Sequence, residues 1–215
     1  MGVYQKVDER NGRERSYART RKGSKGTGRF DDREAPTPQG KAGPGATISR
    51  KAIDMTLGPH WDQIEEVRRR TRVFLKNQGL SKELIDAVTM VSSELVENGM
   101  KYGCFEDPKN GLTFTLNIVE KNVIVEVTHP TSPSAAPHLR RLDKTIQWIR
   151  GFQDPFQAYL EKLKEVARRP ITDSESGLGL VRIAYEGKSI IDFFVAEDNA
   201  LNVSAVAGIE KGLWR

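Results

Sequence analysis

Ile53, Met55 and Leu57 alternate with Asp54 and Thr56, which predicts a half-buried strand that Gly58 and Pro59 end. From Trp61 to about Gln78 the period lengthens. Trp61, Ile64, Val67, Phe74 and Leu75 mark one face of an amphipathic helix, and Arg68, Arg69, Arg70 and Arg72 fall on its outer face, where a run of charge is ordinarily solvated. Gly79 is placed to end this helix and Ser81 to cap the next, which runs to about Tyr102 on the apolar stripe Leu84, Val88, Val91, Leu95. Residues 112–119 and 122–128 are β-rich and separated only by Glu120 and Lys121, the pattern of a hairpin. Two helical pieces follow between 136 and 169. Leu139, Leu142, Ile146 and Ile149 stripe the first; Asp154 and Pro155 open the second as N-cap and first-turn proline. Residues 178–186 read as a helix, and 190–195 with 201–207 as a closing hairpin that turns at Asp198 and Asn199.

The order is strand, two helices, two strands, a helical insert, a helix and two strands. It predicts an α+β two-layer sandwich, a mixed β-sheet with helices on one face. Charge divides the chain before any motif does. Residues 1–46 hold 11 Lys and Arg against 6 Asp and Glu, whereas the remainder holds 23 of each, so the whole net charge of +5 sits in the first segment. That segment has no Leu, Ile or Trp, and cannot bury enough apolar surface to offset the entropy of ordering; it reads as a disordered basic tail, 1–46, ahead of a domain at 47–215. Its charge suits contact with nucleic acid, an acidic partner or an anionic membrane surface, and equally a solubilising leader. No run of 18 apolar residues occurs, so no membrane span is expected, and a cytoplasmic protein is the simplest fit. Cys104 is the only cysteine, which excludes an intrachain disulfide and a cysteine-only metal site; His60, His129 and His138 have no ligand spacing.

Within the second helix Glu94, Asn98 and Lys101 stand at spacings of four and three, on one polar stripe about a quarter turn from the apolar one. Such a helix lines a pocket with one edge and faces a core with the other, or else presents a solvated charged face. About 75 residues on, Gly177 and Gly179 open another apolar-periodic stretch. Glycines there let backbone N–H groups approach an anion, and a plain turn is the competing explanation.

In this order and at this separation the two segments resemble the histidine-kinase-like ATPase superfamily (Bergerat fold), nearest to bacterial anti-sigma-factor serine kinases, over about residues 47–208. The resemblance implies a signalling regulator that binds ATP and Mg²⁺. Asn98 would hold the metal against the phosphates, Glu94 would act as base or position water, Lys101 would lie near phosphate, and Gly177 and Gly179 would meet the triphosphate. It further implies a serine/threonine kinase or ATPase with a regulatory protein partner, with a homodimer left open. Two features depart from the family. The strand at 122–128 runs into His129, Pro130 and a proline-rich loop, where the family has an Asp-x-Gly-x-Gly whose Asp reads the adenine amino group, and Glu175 replaces the leading glycine of the later box. Thr128, His129 and Ser132 are the candidates for a substitute acceptor. The alternative is a relative that works without nucleotide, as a protein–protein interaction module in a signalling pathway.

Overall fold

In a computed structural model, which describes residues 50–105, 111–169 and 177–209, the first alternating run is β1 (Arg50–Leu57), the edge of a five-stranded sheet. The tail expected over 1–46 and Glu175 lie outside the described residues. Two helices follow, α1 (Gln63–Asn77) and α2 (Lys82–Tyr102). Gly79, at φ +72°, adopts the left-handed conformation that closes α1, with its N–H donating to Lys76 O at 3.0 Å and Leu80 N–H to Leu75 O at 3.3 Å. Ser81 then caps α2, its hydroxyl accepting from Leu84 N–H at 3.3 Å. The arginines of α1 form a solvated face: Arg69 and Arg70 both reach Glu66 at 2.7 Å, and Arg68 pairs with Glu65.

β2 (Leu112–Val119) and β3 (Asn122–Pro130) form the first hairpin, and β4 (Ser189–Val195) and β5 (Ala200–Gly208) the second. The sheet order is β1-β2-β3-β5-β4, and every described pair is antiparallel. The α+β sandwich is therefore as the element order predicts, but its sheet is antiparallel rather than mixed. The reason is topological. The α1–α2 hairpin returns the chain to the end where β1 finished, so β2 runs back against it. β4 and β3 share a direction, and β5 turns back into the slot between them, so the two never pair.

One face of the sheet is buried. Phe114 and Leu116 on β2, Val123, Val125 and Val127 on β3, and Leu201 and Ala205 on β5 meet Val88, Val91, Leu95 and Val96 of α2. The insert forms α3 (Ala136–Arg150) and α4 (Pro155–Ala167), with Asp154 Oδ1 accepting from Phe156 N–H at 2.9 Å to cap α4. Leu142, Ile146 and Ile149 of α3 join the core, and Arg150 donates to the Ile191 carbonyl at 2.7 Å, tying the end of α3 to β4. A seven-residue helix, α5 (Gly179–Tyr185), completes the layer and buries Val181 and Ile183.

Candidate nucleotide site

The wall of the site begins on α2. Leu95, Asn98, Gly99 and Tyr102 line one cavity, and their spacing of three, four and seven is a single helical face. This face is rotated from the stripe the sequence suggests. At 100° per residue Tyr102 lies about 40° to one side of Asn98, with Leu95, while Glu94 and Lys101 lie 40–60° to the other. Asn98 is common to both stripes. Lys101 is exposed and is not among the lining residues; its Nζ sits 5.2 Å from the Tyr102 ring centroid.

The remaining walls come from far along the chain. β3 supplies His129, β5 supplies Leu201 and Val203, α3 supplies His138, Arg141, Leu142 and Thr145, α4 supplies Lys162, and Arg169, Gly177, Gly179 and Leu180 close the mouth. The cavity, partly open to solvent, has a volume of about 180 Å³. Tyr102 stacks on His138 with centroids 3.9 Å apart, and Arg141 Nη2 donates to the Tyr102 hydroxyl at 3.2 Å, so α3 is locked to the end of α2.

Both glycines stand where a side chain would crowd the site. Gly177 has φ +61°, and a Cβ there would lie 3.2 Å from Lys162 Cε; a Cβ at Gly179 would lie 2.7 Å from Glu94 Oε2 and 3.6 Å from Asn98 Nδ2. Backbone thus runs directly over the Glu94 carboxylate and the Asn98 amide. Glu94 is mostly buried, and its Oε1 accepts from Arg182 Nη1; the same guanidinium donates through Nε to Glu186 Oε1 at 3.1 Å. Burial pushes the Glu94 carboxyl above its ordinary value, Arg182 opposes that shift, and Glu97 and Glu186 add to it. One oxygen is held by the guanidinium; the other sits at the glycine turn.

At the mouth, Lys162 Nζ lies 2.9 Å from Glu165 Oε2, and Arg169 pairs with the same carboxylate. Those two bonds hold the Glu165 carboxyl below its ordinary value. Three cations, Arg141, Lys162 and Arg169, therefore line the cavity together with the apolar side chains of Leu95, Leu142, Leu201 and Val203. An anionic head on a flat apolar body suits such a lining.

The metal the resemblance implies can be tested against the donor set. Among the described residues no group of three or more His, Cys, Asp or Glu could hold a metal ion. Asn98 turns its Nδ2 to the glycine turn and carries one neutral amide oxygen, a donor that fits Mg²⁺ arriving with phosphate, since that ion takes few protein ligands and completes its shell from phosphate and water.

His129, only 3% exposed, sits at the inward register of β3, and its Nδ1 is 3.1 Å from the Pro130 carbonyl. Burial lowers its pKa from 6.5, with the Pro130 contact opposing. The unfolded chain therefore takes up a proton that the folded chain refuses. The neutral ring's contribution to stability is fully present above pH 6.5 and is lost as pH falls through the lower folded value. Urea midpoints measured near pH 7.5 and pH 5.5 should fall more in the wild type than in His129→Gln. An equal fall would assign the acid sensitivity to other groups.

Asn98, Gly177, Gly179 and, at the margin, Glu94 converge; Lys101 does not. The cations Arg141, Lys162 and Arg169 were not singled out by the sequence, because in two amphipathic helices rich in Lys and Arg nothing local marks which of them turns inward. No protein-family model matches the chain, and no curated protein matches it in sequence. Among solved structures, it is similar to a chain of the SiaB–SiaC complex from Pseudomonas aeruginosa, at 21% identity and a TM-score of 0.58, over 74% of this chain and 90% of that one. The α+β sandwich derived above is thus a fold that this solved protein shares.

Proposed function

We propose that this protein is a cytoplasmic signalling regulator that binds Mg²⁺-ATP and acts on a protein partner, in the manner of the anti-sigma-factor serine/threonine kinases it resembles. One observation carries the reading. Asn98 and the Gly177/Gly179 pair, about 80 residues apart in sequence, line one cavity that Arg141, Lys162 and Arg169 also line. Lys162 and Arg169 would bind the phosphate end and offset its charge, and the apolar lining would take the base. Asn98 would hold Mg²⁺, which when bound supplies charge neutralisation between phosphate oxygens. Glu94, fixed through Oε1 by Arg182, would present Oε2 to orient or accept the proton of a Ser or Thr hydroxyl. The structural likeness to a chain crystallised in a protein–protein complex supports a protein partner.

The test is calorimetric titration of ATP with Mg²⁺ into the full chain. Saturable binding is expected, and Asn98→Ala should abolish its Mg²⁺ dependence without changing the unfolding midpoint. Unchanged affinity in that variant would remove Asn98 from the metal role.

A second reading rests on β3, which ends in His129 and Pro130 with no carboxylate or glycine at the turn. In it the cavity no longer takes nucleotide and the protein works by partner contact alone. Absence of heat at millimolar ATP would favour it.

A further inference from the structure

The sheet ends at β4, and bonding to β5 settles which backbone groups of that strand face outward. Ala196 N–H donates to Ala200 O at 2.8 Å, and the pairs Phe194–Asn202, Asp192–Ser204 and Ile190–Val206 continue the ladder two residues at a time. Bonding alternates along an antiparallel strand. The even-numbered residues therefore point to β5, and Ile191, Phe193 and Val195 turn their N–H and C=O groups to the free edge.

The side chains make this edge a template for another strand. Ser189–Val195 reads Ser-Ile-Ile-Asp-Phe-Phe-Val, with one charge and neither Pro nor Gly. Ile190, Phe194 and Val195 are 44%, 58% and 43% exposed. A β-rich, nearly uncharged edge of this kind invites strand addition. The opposite edge, β1, instead exposes Asp54 and Thr56.

The single charge sits where it closes the template. Arg150, the last residue of α3, reaches over the edge: its Nη2 donates to Ile191 O at 2.7 Å and lies 3.3 Å from Asp192 Oδ1. Asp192 Oδ1 in turn accepts from Phe193 N–H at 3.0 Å. One ion pair thus occupies the outward acceptor of Ile191 and the outward donor of Phe193, two central groups that an added strand would use.

We propose that Arg150 and Asp192 form a clasp that closes β4 to strand addition, and that the strand it keeps out is β4 of a second copy. The pattern of β4 makes it complementary to itself. In an antiparallel pair centred on Asp192, Ile190 of each copy lies opposite Phe194 of the other, so the exposed apolar side chains cover one another. Exposed Lys188, just before the strand, is brought beside exposed Glu197 and Asp198, just beyond the end of the other copy's strand, which sets opposite charges together at both ends. At the centre the two Asp192 carboxylates face each other, and like charges directly opposite are unfavourable. Asp192 opposes the pairing twice, by capping Phe193 N–H and by repelling its own copy.

The test is sedimentation equilibrium of the full chain over a concentration series. The wild type is compared with the double variant Arg150→Ala, Asp192→Thr, whose two sites are exposed. The double variant should associate into species of twice the wild-type mass at concentrations about tenfold or more below any at which the wild type does so, through the freed hydrogen bonds and the lost repulsion. Adding Val195→Pro removes an outward N–H at a position where an edge strand admits proline, and should restore wild-type behaviour. Phe194→Lys, which places a charge in the apolar contact, serves the same purpose if the proline variant does not fold. Equal masses for the wild type and the double variant across the series overturn the proposal. Association that survives both blocking changes also overturns it, because the contact then lies elsewhere. Assemblies beyond twice the wild-type mass overturn the choice of occupant, since a two-fold pair of β4 strands closes on itself.

Discussion

Replacing Gly99 with valine is expected to lower the thermal unfolding midpoint by roughly 6–12 °C, the equivalent of about 3 kcal/mol of overpacking in a domain of this size. Helix propensity points the other way for a glycine in the interior of α2, where a side chain ordinarily gains up to about 1 kcal/mol. Contact geometry decides the sign. A Cβ at Gly99 would stand 2.4 Å from Leu112 Cδ1 and 3.0 Å from Val127 Cγ1, both on fully or almost fully buried residues of the sheet. Neither neighbour has room to retreat, since Phe114 and Leu116 fill the same layer at 0% exposure. Gly99→Ala should show the same sign with a smaller shift. Circular-dichroism melts of both variants check it, and an unchanged or raised midpoint would mean that α2 can lift from the sheet without loss. The glycine also sets how near α2 stands to His129, so the valine variant should lose ligand affinity as well as stability.

Removing both mouth cations, in Lys162→Ala with Arg169→Ala, should weaken Mg²⁺-ATP binding roughly a hundredfold or more, two charge-assisted contacts at about 1.5–3 kcal/mol each. Stability should hardly move. Their partner Glu165 is about half exposed, and surface pairs of this kind contribute about 0–1 kcal/mol. Separating the two outcomes is the purpose of the variant, which a change inside the core cannot do. Binding isotherms at two salt concentrations, with a melt of the same sample, provide both readouts. Undiminished affinity with an unchanged melt would place the phosphates elsewhere and remove these cations from the site. Lys101→Ala serves as the contrast. It lies on the helix edge that turns away from the cavity, and its loss should change affinity far less.

Much of this architecture was legible along the chain, for identifiable reasons. Helix ends were readable where a single residue acts on its immediate neighbours. Gly79 takes the left-handed turn after α1, Ser81 caps α2, and Asp154 caps α4. Strands were readable where one face is buried and the other is not, as in the alternating burial of β3. Strand sense was not readable in the same way. Whether β5 lies outside β4 or between β3 and β4 is a choice among distant pairings, and the hydrophobic pattern of each strand is the same in either arrangement.

The candidate site divides along the same line. The local sequence of α2 identified Asn98, because a polar side chain one step from an apolar stripe belongs at an edge, and it identified Gly177 and Gly179, because glycines before an apolar run mark a close approach of backbone. It also put Lys101 on the polar stripe, and here periodicity reaches its limit. A helix fixes the angle between two of its side chains, but only the elements packed around it decide which angle is inward. The placement of α3 against the end of α2 turned the cavity toward Leu95 and Tyr102 and left Lys101 outside. The same packing brought Lys162 and Arg169, from a segment whose sequence reads as an ordinary amphipathic helix, to the mouth beside Gly177. By itself, then, the sequence determined the elements, their caps and the residues able to do chemistry, since each depends on neighbours within a turn or two. Which of those residues share one cavity was decided by the tertiary structure, because burial of the apolar faces sets the orientation of every helix, and the polar side chains go where that orientation carries them.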